Sequence, residues 1–481
     1  MRDLAFRDFV RRVFNRMFPA KYSLERELNV QVATSALMDD AISRWLLMYK
    51  DGPQMDDKET GHKTLRLPSA ISEEFSRLVL TEFEFSLEGS PRADFLNEQL
   101  DGLRSKLYKE VEMWCALGGI VLKPYVSGDM DKIMIDYVHA NRFYPTAFNS
   151  SGDVTGAVLV ETKRIGDYLY TRLEHHDLQG THLTVVNKAY KSERIYTAQS
   201  EEDELIANNP FSEEVSLETI TEWASLSPIV EMDNIDHPLF VYIRTPRANT
   251  TDPSSPLGAS VYARAESVIR DVDEQYGRLM WEFEATEAAV DADEDLFATD
   301  RAGRPILPEG RERLYRTYTA DGSTNSGFLK EYAPTIRDAS ILNGLNEILR
   351  KVEFLCGLAY GTLSNPNDVD RTAEEIKGSK QRSYVVVNNM QTAWDQGLDE
   401  LIEVMEILCD LYNIVPEGEV NKSCTWGDGI LEDAEKEYQR RWSMVMANKM
   451  KVEKFYSWYF GCTEEEAAEY IPEEKTFPEM E

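Results

Sequence analysis

The chain of 481 residues is 42% hydrophobic and 10% aromatic, enough to bury a core, which excludes wholesale disorder. Its length allows roughly three domains, or one large body with appendages. Acidic residues outnumber basic ones by 86 to 52, a net charge of −34, the sign opposite to that of free DNA-binding proteins.

In chain order, "MRDLAFRDFVRRVFNRMF" interleaves Arg2, Arg7, Arg11, Arg12 and Arg16 with apolar residues. It lacks the continuous apolar core of a signal peptide and predicts a basic amphipathic helix docked on the protein or a neighbour. Within residues 24–50, Leu37, Ala41, Trp45 and Met48 recur at helical spacing. "SAISEEFSRLVLTEFEF" and "FLNEQLDGLRSKLYKEVEMWCALGG" predict two more helices, the second closed by Gly118 and Gly119. The short β-branched and aromatic runs "IVLKPYV", "KIMIDYV", "GAVLVETKR", "YLYTRLEHH" and "THLTVVNKAY" then predict an antiparallel sheet of hairpins over 120–195.

The acidic stretch 196–236 holds one predicted short helix, "SLETITEWASL", and a strand and proline-bearing loop follow in "HPLFVYIRTPRANTTDPSSPLGAS". From Val261 the apolar residues Ala265, Val268, Val272, Tyr276, Leu279 and Phe283 make one helical stripe, with charge on the other faces. Residues 291–335 predict strand and loop, and a helix from near Thr335 carries Ile341, Leu345, Ile348, Val352 and Leu355. A further helix runs from "DRTAEEIKGSKQRSYVVV" to about Tyr412, with Val387, Met390, Trp394, Leu398, Leu401 and Met405 inside. From Leu431 polar amphipathic helices lead to an acidic end.

Templates for chemistry fail on spacing. "GSK" at 378–380 has neither the earlier glycine nor the preceding strand of a phosphate-cradling loop. His175 and His176 are adjacent and point to opposite faces of a strand, while His62 and His139 lack partners at ligand spacing. The five cysteines, Cys115, Cys356, Cys409, Cys424 and Cys462, show no CxxC spacing, which argues for a reducing compartment and against a zinc site. There is no GxSxG elbow, and carboxylate pairs in so acidic a chain are uninformative. No apolar run is long enough to span a bilayer. The expectation is an intracellular, soluble protein with no catalytic residue, cofactor or metal.

Six stretches in order, "ISRWLLMYKD", "CALGGIVLKPY", "IDYVHANRFYPTAFNSSGDVTGAVLVE", "YTRLEHH", "PLFVYIRTPRANTTDPSSPLGASVYARAESVIRDVDEQYGRLMWEFE" and "RTAEEIKGSKQRSY", resemble portal proteins of tailed bacteriophages. The closest type is the siphophage portal of phages of Gram-positive bacteria. The C-terminal "WGDGILEDAEKEYQRRWSMVMANKMKVEKFYSWYFGCTEEEAAEYI" fits the same family's tail, so the resemblance covers nearly the whole chain.

The resemblance implies an α+β portal fold that forms a ring, usually dodecameric, at one capsid vertex of the virion after assembly in the bacterial cytoplasm. Such a ring passes double-stranded DNA during packaging and ejection. It docks the terminase large subunit and later a head-completion or adaptor protein, beside major capsid and scaffolding proteins, with no membrane partner. Residues 1–208 would be the N-terminal helix and first part of the wing, 209–259 a short stem segment and clip, and 260–290 the main stem helix. Residues 291–335 would hold wing strands and the tunnel loop, 336–415 the tunnel helix and second part of the wing, and 416–481 the crown and tail.

Channel or tunnel candidates are then Arg270, Glu274, Arg278, Asn325 and Lys330. Thr372, Glu374, Glu375 and Lys380 are motif residues for an intersubunit surface, with Thr372 starting its helix and the two glutamates near the positive end. Asp233, His237 and Arg244 are clip candidates. Two departures stand out: the family usually reads Thr-Ala-Thr-Glu where this chain has Thr372-Ala373-Glu374-Glu375, and "SLETITEWASL" is a weak match for the other stem helix. The net charge suits a mostly repulsive channel in which the duplex slides, with a few basic rings to centre it. Two alternatives stay open: another capsid-associated minor head or connector protein, and an acidic cytoplasmic hydrolase with its site in the 120–195 sheet.

Overall fold

The computed structural model describes residues 24–50, 63–128, 131–193, 211–293, 297–300, 304–307, 314–318, 329–365, 373–427, 434–447, 449–460 and 467. The basic N-terminal helix, Asn325, Thr372 and the acidic C-terminal end lie outside the described residues. The chain divides into two compact units, Met1–Gly427 and Asp428–Glu481.

In the first unit, helix α1 (Ala36–Lys50) begins where Ser35 Oγ accepts from the Met38 N–H at 3.2 Å. Met38, Ala41, Trp45 and Met48 are buried, whereas Leu37, expected on that stripe, is 62% exposed. Helix α2 (Leu67–Val79) carries Pro68 in its first turn, where a missing N–H costs nothing. After strand β1 (Glu84–Glu88) come helices α3 (Pro91–Gln99) and α4 (Asp101–Leu117). Gly118 closes α4 with φ 83°, and a Cβ there would lie 2.6 Å from the Ala259 carbonyl carbon. Gly258 is constrained in turn, because its Cβ would sit 1.9 Å from the Gly118 oxygen. The two glycines let the "SSPLGAS" loop cross the end of α4, where the Thr245 N–H donates to Gly118 O at 2.9 Å.

The predicted single sheet is two. Strand β2 (Gly119–Val126) is flanked by β3 (Ile133–His139) and by β10 (Val241–Arg244) in a three-stranded antiparallel sheet. The second sheet has the order β4 (Phe143–Phe148), β5 (Val154–Ile165), β6 (Tyr168–Gln179), β7 (His182–Glu193) and β8 (Glu213–Val215). Strand β9 (Ile229–Asp233) pairs with the other end of β7. The expected helix in "SLETITEWASL" is only a 3-10 turn, Leu217–Thr219. Its apolar residues Leu217, Ile220 and Trp223 repeat every three positions, the 3-10 period, and bury against Tyr170 and Ala189.

Helix α5 (Glu266–Ala285) starts later than its apolar pattern suggests, because Val261 and Tyr262 are fully buried ahead of a 3-10 turn, Ala263–Ala265. It leads to a small sheet of β11 (Ala289–Asp293), β12 (Tyr315–Tyr318) and β13 (Leu329–Tyr332), with β11 central. Helix α6 (Asp338–Cys356) then returns along α5. Helix α7 (Ala373–Tyr412) runs 40 residues, and Val387, Met390, Trp394, Leu398, Leu401 and Met405 are all buried in the main core. Trp394 meets Trp114 of α4 edge to face at 5.6 Å between centroids, a contact worth about 1 kcal/mol beyond its buried area. Strand β14 (Asn421–Thr425) pairs with β1, so residues 416–427 complete the first unit, which runs to Gly427.

The second unit holds helices α8 (Ala434–Met446) and α9 (Val452–Phe460), with Val445 and Phe455 buried.

Candidate functional site

The α5–α6 hairpin is built by one stripe on each helix. Ile269, Val272 and Leu279 of α5 are buried, as are Leu345 and Val352 of α6. The last buried position of α5 is Glu282, while Phe283, expected on the stripe, is 43% exposed. Arg337, ahead of α6, donates to Glu282 through Nε at 3.0 Å, Nη2 at 2.7 Å and its backbone N–H at 3.3 Å. These bonds hold the Glu282 carboxyl below the usual carboxylate range. At the other end, Arg247 donates to the carbonyls of Val261 and Cys356, joining the entry to α5 to the negative end of α6.

Arg270, Glu274 and Arg278 are all exposed on the face of α5 away from that stripe, and Arg278 donates to Glu274 at 2.6 Å. Trp281 follows on the same face, 65% exposed. Lys330 lies in β13 opposite Asp291 of β11. The sheet that bears it buries Ala289 and Ala292 outside the main hydrophobic cluster.

The expected clip segment shares its strands and apolar residues with the body. Its strands β9 and β10 belong to the two larger sheets, and Leu239, Phe240, Val241, Ile243, Leu257 and Ala259 sit in the main core. His237 and Arg244 line one cavity of about 520 Å³ with Asp153, Asp236, Gln396 and Glu400. Burial pushes the Glu400 carboxyl up, opposed by His237. Asp233 is not part of that cavity: it accepts from His182 Nδ1 at 2.8 Å.

Of the motif residues, Glu374 and Glu375 fall in the first turn of α7, and Lys380 is exposed on it. The chain enters this region from a turn organised by Glu353 of α6, whose buried carboxylate accepts from the N–H groups of Gly361, Leu363 and Ser364 at 2.7–3.0 Å.

Sequence reasoning missed a buried ion cluster between the two larger sheets. Glu174 of β6 accepts from Lys123 of β2 at 2.5 Å and from His176 at 2.8 Å, and pairs with Arg172 at 2.7 Å. Arg172 also donates to Glu161 of β5 at 2.8 Å and to Asn187 of β7 at 3.0 Å. Burial opposes ionisation of Glu174, but Lys123 and Arg172 override it and hold the carboxyl well below the ordinary range. The signal available was Glu174 and His176 two apart in a strand, hence on one face. Among the described residues no group of three metal-ligating side chains occurs, and no helix is long and apolar enough to cross a membrane.

No protein-family model and no curated protein matches the chain. Among solved structures it is similar to a chain of "Virion of native gene transfer agent (GTA) particle", at 12% identity and TM-score 0.42, covering 90% of this chain and 95% of that one. A chain of "Neck of empty GTA particle computed with C6 symmetry" gives 11% identity and TM-score 0.40, covering 83% and 89%. A chain of "Neck of native GTA particle computed with C12 symmetry" gives 10% identity and TM-score 0.35, covering 82% and 90%. Scores at this level assign the chain to no family.

Proposed function

We propose that the chain is a virion structural subunit that closes into a portal-type ring, a conduit for double-stranded DNA and a docking platform for the terminase large subunit and head-completion proteins. The observation that carries this reading is the α5–α6 hairpin. Its helices have 20 and 19 residues, close to 30 Å of length at about 1.5 Å per residue. They bury one stripe against each other, leave a mixed-charge face exposed, and end in a small sheet outside the main core. The ordered sequence stretches that resemble portal proteins support the same reading.

In this proposal Arg270, Glu274 and Arg278 face the channel. Opposite charges alternate there, so the wall does not trap phosphates as a continuous basic lining would. The docking role moves from residues 226–259, which are committed to the body, to the sheet β11–β13 at the hairpin's end. Asp233, His237 and Arg244 are then surface residues of the body.

Negative-stain microscopy of the purified full-length chain tests the reading. Rings with a central hole are expected. A population of globular monomers for the wild type overturns the proposal.

A further inference from the structure

One cavity of the first unit has walls of two kinds. In the space of about 520 Å³ walled by the start of β5, the stretch 236–246 and α7, Leu178, Tyr242 and Ala393 supply apolar surface while Asp153, Asp236 and Glu400 supply carboxylates. Its size falls within the roughly 300–1,000 Å³ of ligand sites. The cations of the lining are Arg244 and His237, and Arg244 donates to the Pro256 carbonyl at 3.3 Å. Burial pushes the Glu400 carboxyl up, His237 opposes this, and Asp153, Glu403 and Asp399 reinforce it. A cation brought from outside would relieve that repulsion, and an apolar group beside it would cover the half-buried Leu178, Tyr242 and Ala393.

The chain carries one segment of matching chemistry. Residues 1–23 hold Arg2, Arg7, Arg11, Arg12, Arg16 and Lys21 against Asp3 and Asp8, a net charge of +4 in a chain of −34. The other stretches of ten or more residues outside the described ones, 51–62, 194–210, 319–328 and 468–481, are all net acidic. Within the basic segment Phe6, Phe9, Val10 and Val13 fall at i, i+3, i+4 and i+7, the spacing of an apolar helical stripe. The segment also reaches the cavity. Leu24, where the described chain begins, shares a buried cluster with Val158 of β5. Val154, earlier in the same strand, lines the cavity about 13 Å away, at roughly 3.3 Å per residue. Residues 1–23 would span about 35 Å as a helix.

We propose that residues 1–23 dock on this cavity in their own chain, with arginines at Asp236 and Glu400 and phenylalanines against Leu178, Tyr242 and Ala393. Neither the ring nor the resemblance to portal proteins enters this assignment, so a monomeric chain would dock its segment in the same way.

Hydrogen exchange of the full-length chain, read by mass spectrometry over residues 4–18 and 236–246, tests the docking. Three variants stand beside wild type: Arg11→Glu, Arg12→Glu, Arg16→Glu on the segment; Asp236→Lys, Glu400→Lys in the cavity; and all five changes together. Slow exchange of 4–18 is expected in wild type. Either set alone should quicken it at least about tenfold, and the combination should return it to within about threefold of wild type. Reversal at two exposed positions of α3, Asp94→Lys and Glu98→Lys, should leave 4–18 protected. Charge reversal on both sides restores a contact only where the two sides meet, so the combination separates docking from loss of fold.

Fast exchange of 4–18 in wild type overturns the proposal. Protection that the cavity variant leaves intact overturns it too, by seating the segment elsewhere, and so does a combination that stays as fast as the single sets. Protection that disappears on dilution overturns it in favour of the cavity of a neighbouring copy.

Discussion

Glu174 shows how a single buried carboxylate joins two sheets. It takes bonds from Lys123 across the sheet interface and from Arg172 and His176 on its own strand, and all four side chains are less than a tenth exposed. Removing the negative charge leaves Lys123 buried without a carboxylate at ion-pair distance and Arg172 with Glu161 alone. The variant Glu174→Gln should therefore lose about 3–5 kcal/mol of stability, measured by denaturant unfolding at neutral pH. The sign of the pH dependence follows from the lowered pKa. A carboxyl depressed in the fold contributes fully above its unfolded value of 4.5, and the contribution is lost as pH falls through the folded value. Wild type should thus lose its advantage over Glu174→Gln only in strong acid, below about pH 4.5. An unchanged gap between the two at pH 3 and pH 7 would show that the ionised carboxylate is not the source.

At the scale of elements, the Glu282–Arg337 bonds close the mouth of the α5–α6 hairpin where the small sheet leaves it. With Glu282→Ala, Arg337 loses its three bonds, and amide exchange in β11 and β13 should quicken by on the order of tenfold while α7 stays protected. Equal protection in the variant would mean that apolar contacts alone hold the mouth. Glu282 also marks the limit of pattern reading. A stripe of period 3.6 places Phe283 inward, but the last turn of α5 is covered by the Arg337 end of α6, so the carboxylate is the buried group. Helix α7 was fully legible because its six apolar positions keep register over many turns and nothing interrupts them. Strands β2, β3, β5, β6, β7 and β10 were legible one by one, but not their division into two sheets. β2 pairs with β10, far along the chain, and no local turn announces that partner. Likewise no local pattern in the sequence marks Lys123 and Arg172 as buried. Only the packing of one sheet on the other turns them inward, and that is why the ion cluster was not foreseen while the exposed face of α5 was.

For the whole molecule, the pairing of β14 with β1 decides where the first unit ends. Five residues of each strand pair, from Glu84 with Thr425 to Glu88 with Asn421. Next to them Trp426 packs tilted on Phe83 at 4.3 Å between centroids and donates to Asp395 at 3.2 Å, while Lys422 bridges Asp395 at 3.0 Å and Asp399 at 2.6 Å. Gln391 of α7, buried, donates to Gly427 O at 3.0 Å and to Val79 O at 3.2 Å. The segment is therefore a clamp that ties α2, β1 and α7 together from the far end of the unit. A chain cut after Gly427 keeps every one of these contacts; one cut after Val415 exposes the β1 edge, uncovers Phe83, and leaves the Gln391 amide short of an acceptor. Losing the Trp426 contact alone should cost roughly 2 kcal/mol or more, and an open edge strand adds a site for association. The 1–427 chain should melt cooperatively within a few degrees of the first transition of the full chain, and the 1–415 chain should melt several degrees lower and aggregate, read by scanning calorimetry with light scattering. If both truncations melt alike, β14 is an accessory strand and the first unit ends near 416 after all.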